Sequence, residues 1–173
     1  MIKLEKFNVS DYDCLINWVD TEELMVQFGG SLFDFPITHQ QLDTYTKNEN
    51  RLIYKVINLD TNNTIGHVEL DKIDYKNKNA RISRVLVGDQ SNRNNGFGKK
   101  IINAIVNIGF KELKLHRLDL GVYDFNKQAI NCYENCGFEI EGLFKENMKV
   151  GNDYWSTYNM SILNTKKNNY VRN

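Results

Sequence analysis

A glycine-rich turn stands between two strongly patterned stretches and limits what they can build. Arg93-Asn94-Asn95-Gly96-Phe97-Gly98 follows an apolar strand-like run, Arg84-Val85-Leu86-Val87, and opens a long amphipathic pattern from Lys99 to Leu113. A further strand pattern follows, apolar at Leu118, Leu120 and Val122. Two strands joined through a helix run parallel, so this stretch predicts a parallel pair. The same turn makes an anion site. The first N–H groups of a helix have no partner inside it, and the helix dipole adds partial positive charge there. Glycines let that backbone come close to a phosphate. Arg93 adds a fixed cation with a forked donor set. The expectation is a grip on a phosphorylated cofactor.

Other phosphate motifs fit less well. A Walker loop needs Ser or Thr after Gly-Lys, and Gly98-Lys99 is followed by Lys100. The dinucleotide fingerprint needs a third glycine where Ile101 stands, in a leading βαβ unit, and this turn lies past mid-chain. The plain alternative is an ordinary strand-to-helix turn.

A second constellation lies one strand downstream. Asn126-Lys127-Gln128-Ala129-Ile130-Asn131-Cys132-Tyr133 leads into Glu134-Asn135-Cys136-Gly137-Phe138. Asn126 suits a helix N-cap and Gly137 a helix C-cap. Ala129, Ile130 and Tyr133 share one helix face, where small Ala129 would admit a ligand beside the Tyr133 phenol. The alternative is an amphipathic helix with Tyr133 packed in the core.

Together the two segments resemble the GNAT superfamily of N-acetyltransferases. Its Arg/Gln-x-x-Gly-x-Gly/Ala motif is matched by Arg93, Gly96 and Gly98. Its Asn-x-x-Ala-x-x-x-Tyr-x-x-x-Gly-Phe motif is matched by Asn126, Ala129, Tyr133, Gly137 and Phe138. The resemblance runs from Ile2-Lys3-Leu4 to Trp155-Ser156-Thr157-Tyr158-Asn159-Met160. The C-terminal hairpin looks most like the branch that includes ribosomal-protein alanine and spermidine acetyltransferases. Two departures are Asn94, where many members have glycine, and Asp89-Gln90, where a proline is common. The resemblance implies an α/β fold with a mixed, mainly antiparallel central sheet, flanking helices, and a splayed parallel pair of strands 4 and 5 whose gap admits the cofactor.

The remaining chain agrees with one domain over 1–165 and a polar tail over 166–173. Ile2 to Phe7 predicts a strand. Ser10-Asp11, Thr21 and the Thr38-His39-Gln40-Gln41 capping box predict three helix starts. Leu52–Ile57 with Ile65–Ile73, and Phe138–Phe144 with Tyr154–Leu163, predict hairpins around Asp60–Asn63 and Gly151–Asp153. Arg81 to Val87 predicts the fourth strand. The chain has 173 residues, with 22 basic and 22 acidic side chains. That balance gives no support for general attraction to nucleic acid or membrane. No apolar run nears the roughly 20 residues that span a bilayer, and the N-terminus lacks a signal-peptide block. A cytoplasmic protein is expected. Cys14, Cys132 and Cys136 form no disulfide framework, and the Cys132/Cys136 pair alone supplies too few ligands for a structural zinc, so no metal is expected.

The resemblance also implies a chemistry. Acetyl-CoA is the cosubstrate and the acceptor is a small-molecule or peptide amine. Asn94, Asn95, Gly96, Phe97, Gly98 and Lys99 would hold the pyrophosphate beside Arg93, with Asn126, Ala129 and Tyr133 on the facing helix. Val85, Leu86 and Val87 would present the strand edge that pairs with the pantetheine chain. Tyr133 is the candidate acid at the leaving thiolate; a phenol near 10 against a thiol near 8.5 makes a hydrogen bond the safer role than full transfer. His67, Glu69 and Asp71 alternate along the third strand and so share a face. Glu69 is the candidate base, acting through water or by holding a cationic amine; the alternative is a solvated sheet face. Trp18, Phe28, Phe33 and Phe35 are candidate acceptor-pocket aromatics, or core. His116 is expected to be structural and His39 to lie at the surface. A non-catalytic acyl-CoA-binding module of the same fold, or a nucleotide-binding protein, is the competing function. The acceptor and a possible homodimer stay open.

Overall fold

The period-two runs of the sequence form seven strands and the amphipathic runs five helices, in a computed structural model that describes residues 1–88 and 95–165. Strands are β1 (Ile2–Lys6), β2 (Leu52–Asn58), β3 (Asn63–Asp74), β4 (Asn79–Val87), β5 (Arg117–Tyr123), β6 (Glu139–Val150) and β7 (Asp153–Leu163). Helices are α1 (Tyr12–Trp18), α2 (Glu22–Gly29), α3 (His39–Thr46), α4 (Phe97–Asn107) and α5 (Lys127–Glu134). The strands make one sheet in the order β1-β2-β3-β4-β5-β7-β6. Every neighbouring pair is antiparallel except β4–β5, which is parallel. Arg93, Asn94 and the tail over 166–173 lie outside the described residues.

Polar side chains set the helix starts. The first helical turn begins earlier than Ser10: Asn8 accepts from the Ser10 amide at 3.0 Å, and Asp11 accepts from the Asn8 amide at 2.9 Å, closing a capping box. Thr21 and Thr38 accept from the Leu24 and Gln41 amides, as their positions predict. The reciprocal half of the α3 box is not made. The Gln41 side chain instead accepts from the Asp34 amide at 2.8 Å and donates to the Asp34 and Pro36 carbonyls, pinning the preceding loop. The pattern read as helix to Leu113 leaves regular α-helix at Asn107 and widens into a π-type turn over Ile108–Glu112.

Two apolar clusters flank the sheet. Ile101, Ile102 and Ile105 of α4 are fully buried among Val68, Leu70, Ile82, Leu118 and Leu120. The second cluster gathers Tyr12, Leu15, Phe28, Phe33, Leu42 and Tyr45 from the α1–α3 region with Ile53 and Leu86 of the sheet. Strand β4 serves both because it is bulged. His67 pairs with Leu86 and Glu69 with Ser83, so β4 carries an extra residue near Arg84 and Val85. Arg84 there takes φ 52°. Before the bulge Ala80 and Ile82 join the first cluster; beyond it Val85 and Val87 do, while Leu86 joins the second. The extra residue has exchanged the two faces.

The parallel pair is short. Asn79–Arg81 pair with Arg117–Asp119, and then the strands part. Beyond that point β4 stays with β3, and β5 stays with β7 as far as Tyr123. Arg81 holds the fork: its Nη1 donates to Asp119 and, at 3.1 Å, to Asn159. Its guanidinium lies over Gly121, where a Cβ would meet Nη2 at 2.5 Å. Among the described residues no helix is long and apolar enough to cross a membrane.

Gly66 tests the packing beneath the bulge. A Cβ there would stand 2.4 Å from the Leu86 carbonyl oxygen and 3.4 Å from Ile101 and Val56. Gly66→Ala is expected to cost about 1–3 kcal/mol, the range typical of overpacking, and to lower the melting temperature by several degrees. An unchanged melting curve would contradict the close approach of β3 to β4.

Candidate active site

The fork between β4 and β5 opens a cleft of ≈ 1420 Å³. One wall is β4 from Ile82 to Val87, and the other is β5 from Leu120 to Tyr123. The N-terminal end of α4 and one face of α5 border the same space, through Gly96–Lys99 and through Asn126–Ala129, Cys132 and Tyr133.

Gly96 caps α4 in the left-handed conformation, φ 73°, which glycine adopts at little cost. No side chain caps the helix among the described residues, so the first-turn amides keep their donor capacity toward the cleft. Gly98 serves differently. At Gly98, the second residue of α4, a Cβ would meet only the Cys132 sulfur, at 3.5 Å, so the chain leaves open space beside it. Asn126 Oδ1 accepts from the Ala129 amide at 3.1 Å and fixes the start of α5. That helix start places Ala129 and Tyr133 side by side on the cleft wall, on the face that their spacing predicts.

Burial raises the Tyr133 phenol above its ordinary value near 10, and the neighbouring Cys132 and Cys136 thiols raise it further. The hydroxyl therefore keeps its proton at neutral pH and can donate to a developing anion. Cys136 Sγ donates to the Lys99 carbonyl at 3.9 Å. The neighbouring Cys136 thiol lowers Cys132, aided by Lys99, while the Cys132 thiol and burial raise Cys136. All three cysteines are free. Among the described residues no group of three or more His, Cys, Asp or Glu is placed to hold a metal ion.

Strand β3 differs from a solvated sheet face. His67, Glu69 and Asp71 do share one side of β3, but all three are buried. Glu69 is fully enclosed, its side chain 0% exposed. Its carboxylate accepts from the Tyr45 hydroxyl at 2.5 Å, from Arg51 Nη1 at 3.1 Å and from Arg84 Nη1. Arg51 and Arg84 each lie 5.5 Å from the Tyr45 ring centre, on a cation–π contact. Burial draws the Arg84 guanidinium down to about 10, which leaves it charged at neutral pH. His67 Nδ1 donates to the Arg84 carbonyl at 2.9 Å, inside the bulge. Burial lowers its pKa to about 4, a shift only partly opposed by that carbonyl, so the ring is neutral there.

Arg51, Asp71 and Arg84 border the cleft; Glu69 sits behind them. Of the candidate aromatics, Phe28 borders the cleft, Phe33 stacks on it at 6.1 Å inside the second cluster, and the Trp18 ring lies against Gly88. His39 is exposed and meets Asp13 at 2.7 Å. The predicted Arg93 and Asn94 contacts fall outside the described residues. Tyr45, Arg51, Arg81 and Arg84 were not singled out by the sequence. The one signal for Arg84 was a charged residue opening an otherwise apolar strand run.

The chain is similar to known N-acetyltransferases. The family of the acetyltransferase (GNAT) domain matches residues 4–158. A spermidine N(1)-acetyltransferase of Vibrio cholerae is 33% identical over 104 residues, 60% of this chain and 59% of that protein, so the match spans less than two thirds of the relative. An uncharacterized N-acetyltransferase of Bacillus subtilis, YnaD, is 24% identical over 169 residues, 95% of each chain. The crystal structure of spermidine N-acetyltransferase from Vibrio cholerae in complex with CoA and spermine superposes with a TM-score of 0.81, at 24% identity, over 94% of this chain and 95% of that one. At that identity the likeness is one of fold.

His67 gives this site a pH signature. Its folded pKa lies below the ordinary 6.5, so the unfolded chain binds the extra proton first. The stability it confers is complete above pH 6.5 and is lost as pH falls toward about 4, roughly 3 kcal/mol in all. Denaturant melts of His67→Gln between pH 7 and 4 are expected to fall less steeply than those of the wild type. Parallel curves would remove His67 from the acid response.

Proposed function

We propose that this chain, which belongs to the GNAT acetyltransferase family, moves the acetyl group of acetyl-CoA directly to a primary amine. The family is one of acyltransferases, and acetyl-CoA supplies it with an activated thioester. The observation that carries the reading is the fork: β4 and β5 part beside a glycine-capped helix start, and Tyr133 faces the opening.

The residues present fit the donor. The Gly96–Lys99 amides suit a pyrophosphate, with Arg93 and Asn94 assigned to the same end by motif. Val85 and Leu86, beyond the β4–β5 pairing, suit an extended amide-bearing arm that adds like a strand. Ala129 leaves room beside it. Tyr133, protonated by its burial, donates a hydrogen bond where the thiolate leaves. Glu69 acts on the acceptor side as a positioning residue. Its oxygens are occupied by Tyr45, Arg51 and Arg84, and it holds the two guanidinium groups that face the cleft. Self-association is part of the proposal. Strand β6 is an edge strand with Ile140, Leu143 and Phe144 exposed, and a dodecameric structure of the Vibrio cholerae enzyme superposes at a TM-score of 0.79. The free thiols suit a cytoplasmic setting.

Acetyl-CoA consumption with a panel of amines tests the reading, with Tyr133→Phe as the diagnostic variant. Loss of the hydroxyl is expected to lower kcat about 10²–10⁴-fold while the retained ring leaves acetyl-CoA affinity near wild type. A variant with full kcat on a step limited by chemistry would remove Tyr133 from the mechanism.

A further inference from the structure

The cleft wall carries more cations than carboxylates. Arg51, Lys72, Arg81 and Arg84 border it, against the carboxylates of Glu23 and Asp71. Those carboxylates, and the two just behind the wall, are already engaged. Glu69 accepts from three groups, and Asp119 is held by Arg81. Asp71 accepts from the Lys72 amide at 2.8 Å and lies 3.7 Å from Arg51 and 3.9 Å from Arg84. Glu23, at the rim, accepts from Gln27 at 3.3 Å.

One strong donor is unspent. Arg84 Nε is buried and has no hydrogen-bond partner among the described residues, and the side chain as a whole is 10% exposed. Leaving such a donor unmade costs about 1–3 kcal/mol, more for a charged group, so Arg84 calls for a partner that the described chain does not supply, a water or a ligand. Arg84 also holds φ 52° at the bulge, one residue before the Val85–Val87 edge. Strain of that kind is retained where the surroundings enforce it, and it gathers at functional positions. Tyr45 and Glu69 clamp the guanidinium in place, which reduces the entropy lost when it grips a ligand.

A polyamine would need carboxylates turned toward it, and would meet guanidinium groups here. We infer that the acceptor is an amine that also carries a carboxylate, an amino acid or short peptide in chemical class, with Arg84 and the neighbouring Arg51 receiving the carboxylate. This inference rests on the acetyltransferase reading and narrows its substrate.

The test uses the full chain and acetyl-CoA with three groups of acceptors: amino acids and dipeptides, their C-terminal carboxamides, and spermidine with spermine. The best carboxylate acceptor is expected to exceed its own carboxamide at least ten-fold in kcat/KM, and to exceed both polyamines. Arg84→Met is expected to bring the carboxylate-to-carboxamide ratio toward one, chiefly through KM, with acetyl-CoA affinity unchanged; Arg84→Lys should restore part of it. Equal use of carboxylate and carboxamide, or preference for the polyamines, overturns this inference and leaves the transferase reading standing. Binding of acetyl-CoA with no acetylation in any group overturns both. If Arg84→Met does not fold, the wild-type ratio alone decides.

Discussion

Strand β4 has to satisfy two partners that diverge. It pairs with β3 along its length, and with β5 only over Asn79–Arg81. The Arg81 guanidinium, spread over Gly121 between Asp119 and Asn159, fixes where the parting begins. The cleft depends on that fork. It separates β4 from β5, opens beside the start of α4, and leaves the space that α5 borders with Ala129 and Tyr133. A sheet paired to the ends of β4 and β5 would bury the same apolar residues and hold no cleft.

The bulge at Arg84 is the second consequence of the same demand. With one extra residue, β4 changes which face its side chains take and delivers Arg84 to the junction of cleft and core. Two arginines in a buried setting carry a desolvation cost, which Glu69, Asp71 and the Tyr45 ring offset. His67, kept neutral by burial, holds the bulge by donating from Nδ1 to the Arg84 carbonyl. The polar cluster and the backbone irregularity thus support each other, across residues drawn from α3, β2's approach, β3 and β4.

Much of this was legible in the sequence. The glycine turn, the Asn126–Tyr133 helix and the alternation of β5 each have a local cause, so their positions follow from spacing alone. The buried cluster does not. His67, Glu69 and Asp71 show the alternation of a half-solvated strand, and nothing within that strand announces that Tyr45, Arg51 and Arg84 arrive to cover it. Gln41 is a similar case: the capping-box spacing is present, and the side chain is drawn to the Asp34–Pro36 loop instead. Local pattern locates elements; which polar groups meet across 15 or more residues is set by packing.

On the proposed function, the forked strands and the α4 start together receive one extended donor molecule. Amide hydrogen exchange of the full chain, with and without acetyl-CoA, measures this segment by segment. Added protection is expected in peptides covering 82–88 and 95–100, with the β6–β7 hairpin turn unchanged. Protection confined to other segments, or none at saturating acetyl-CoA, would contradict it.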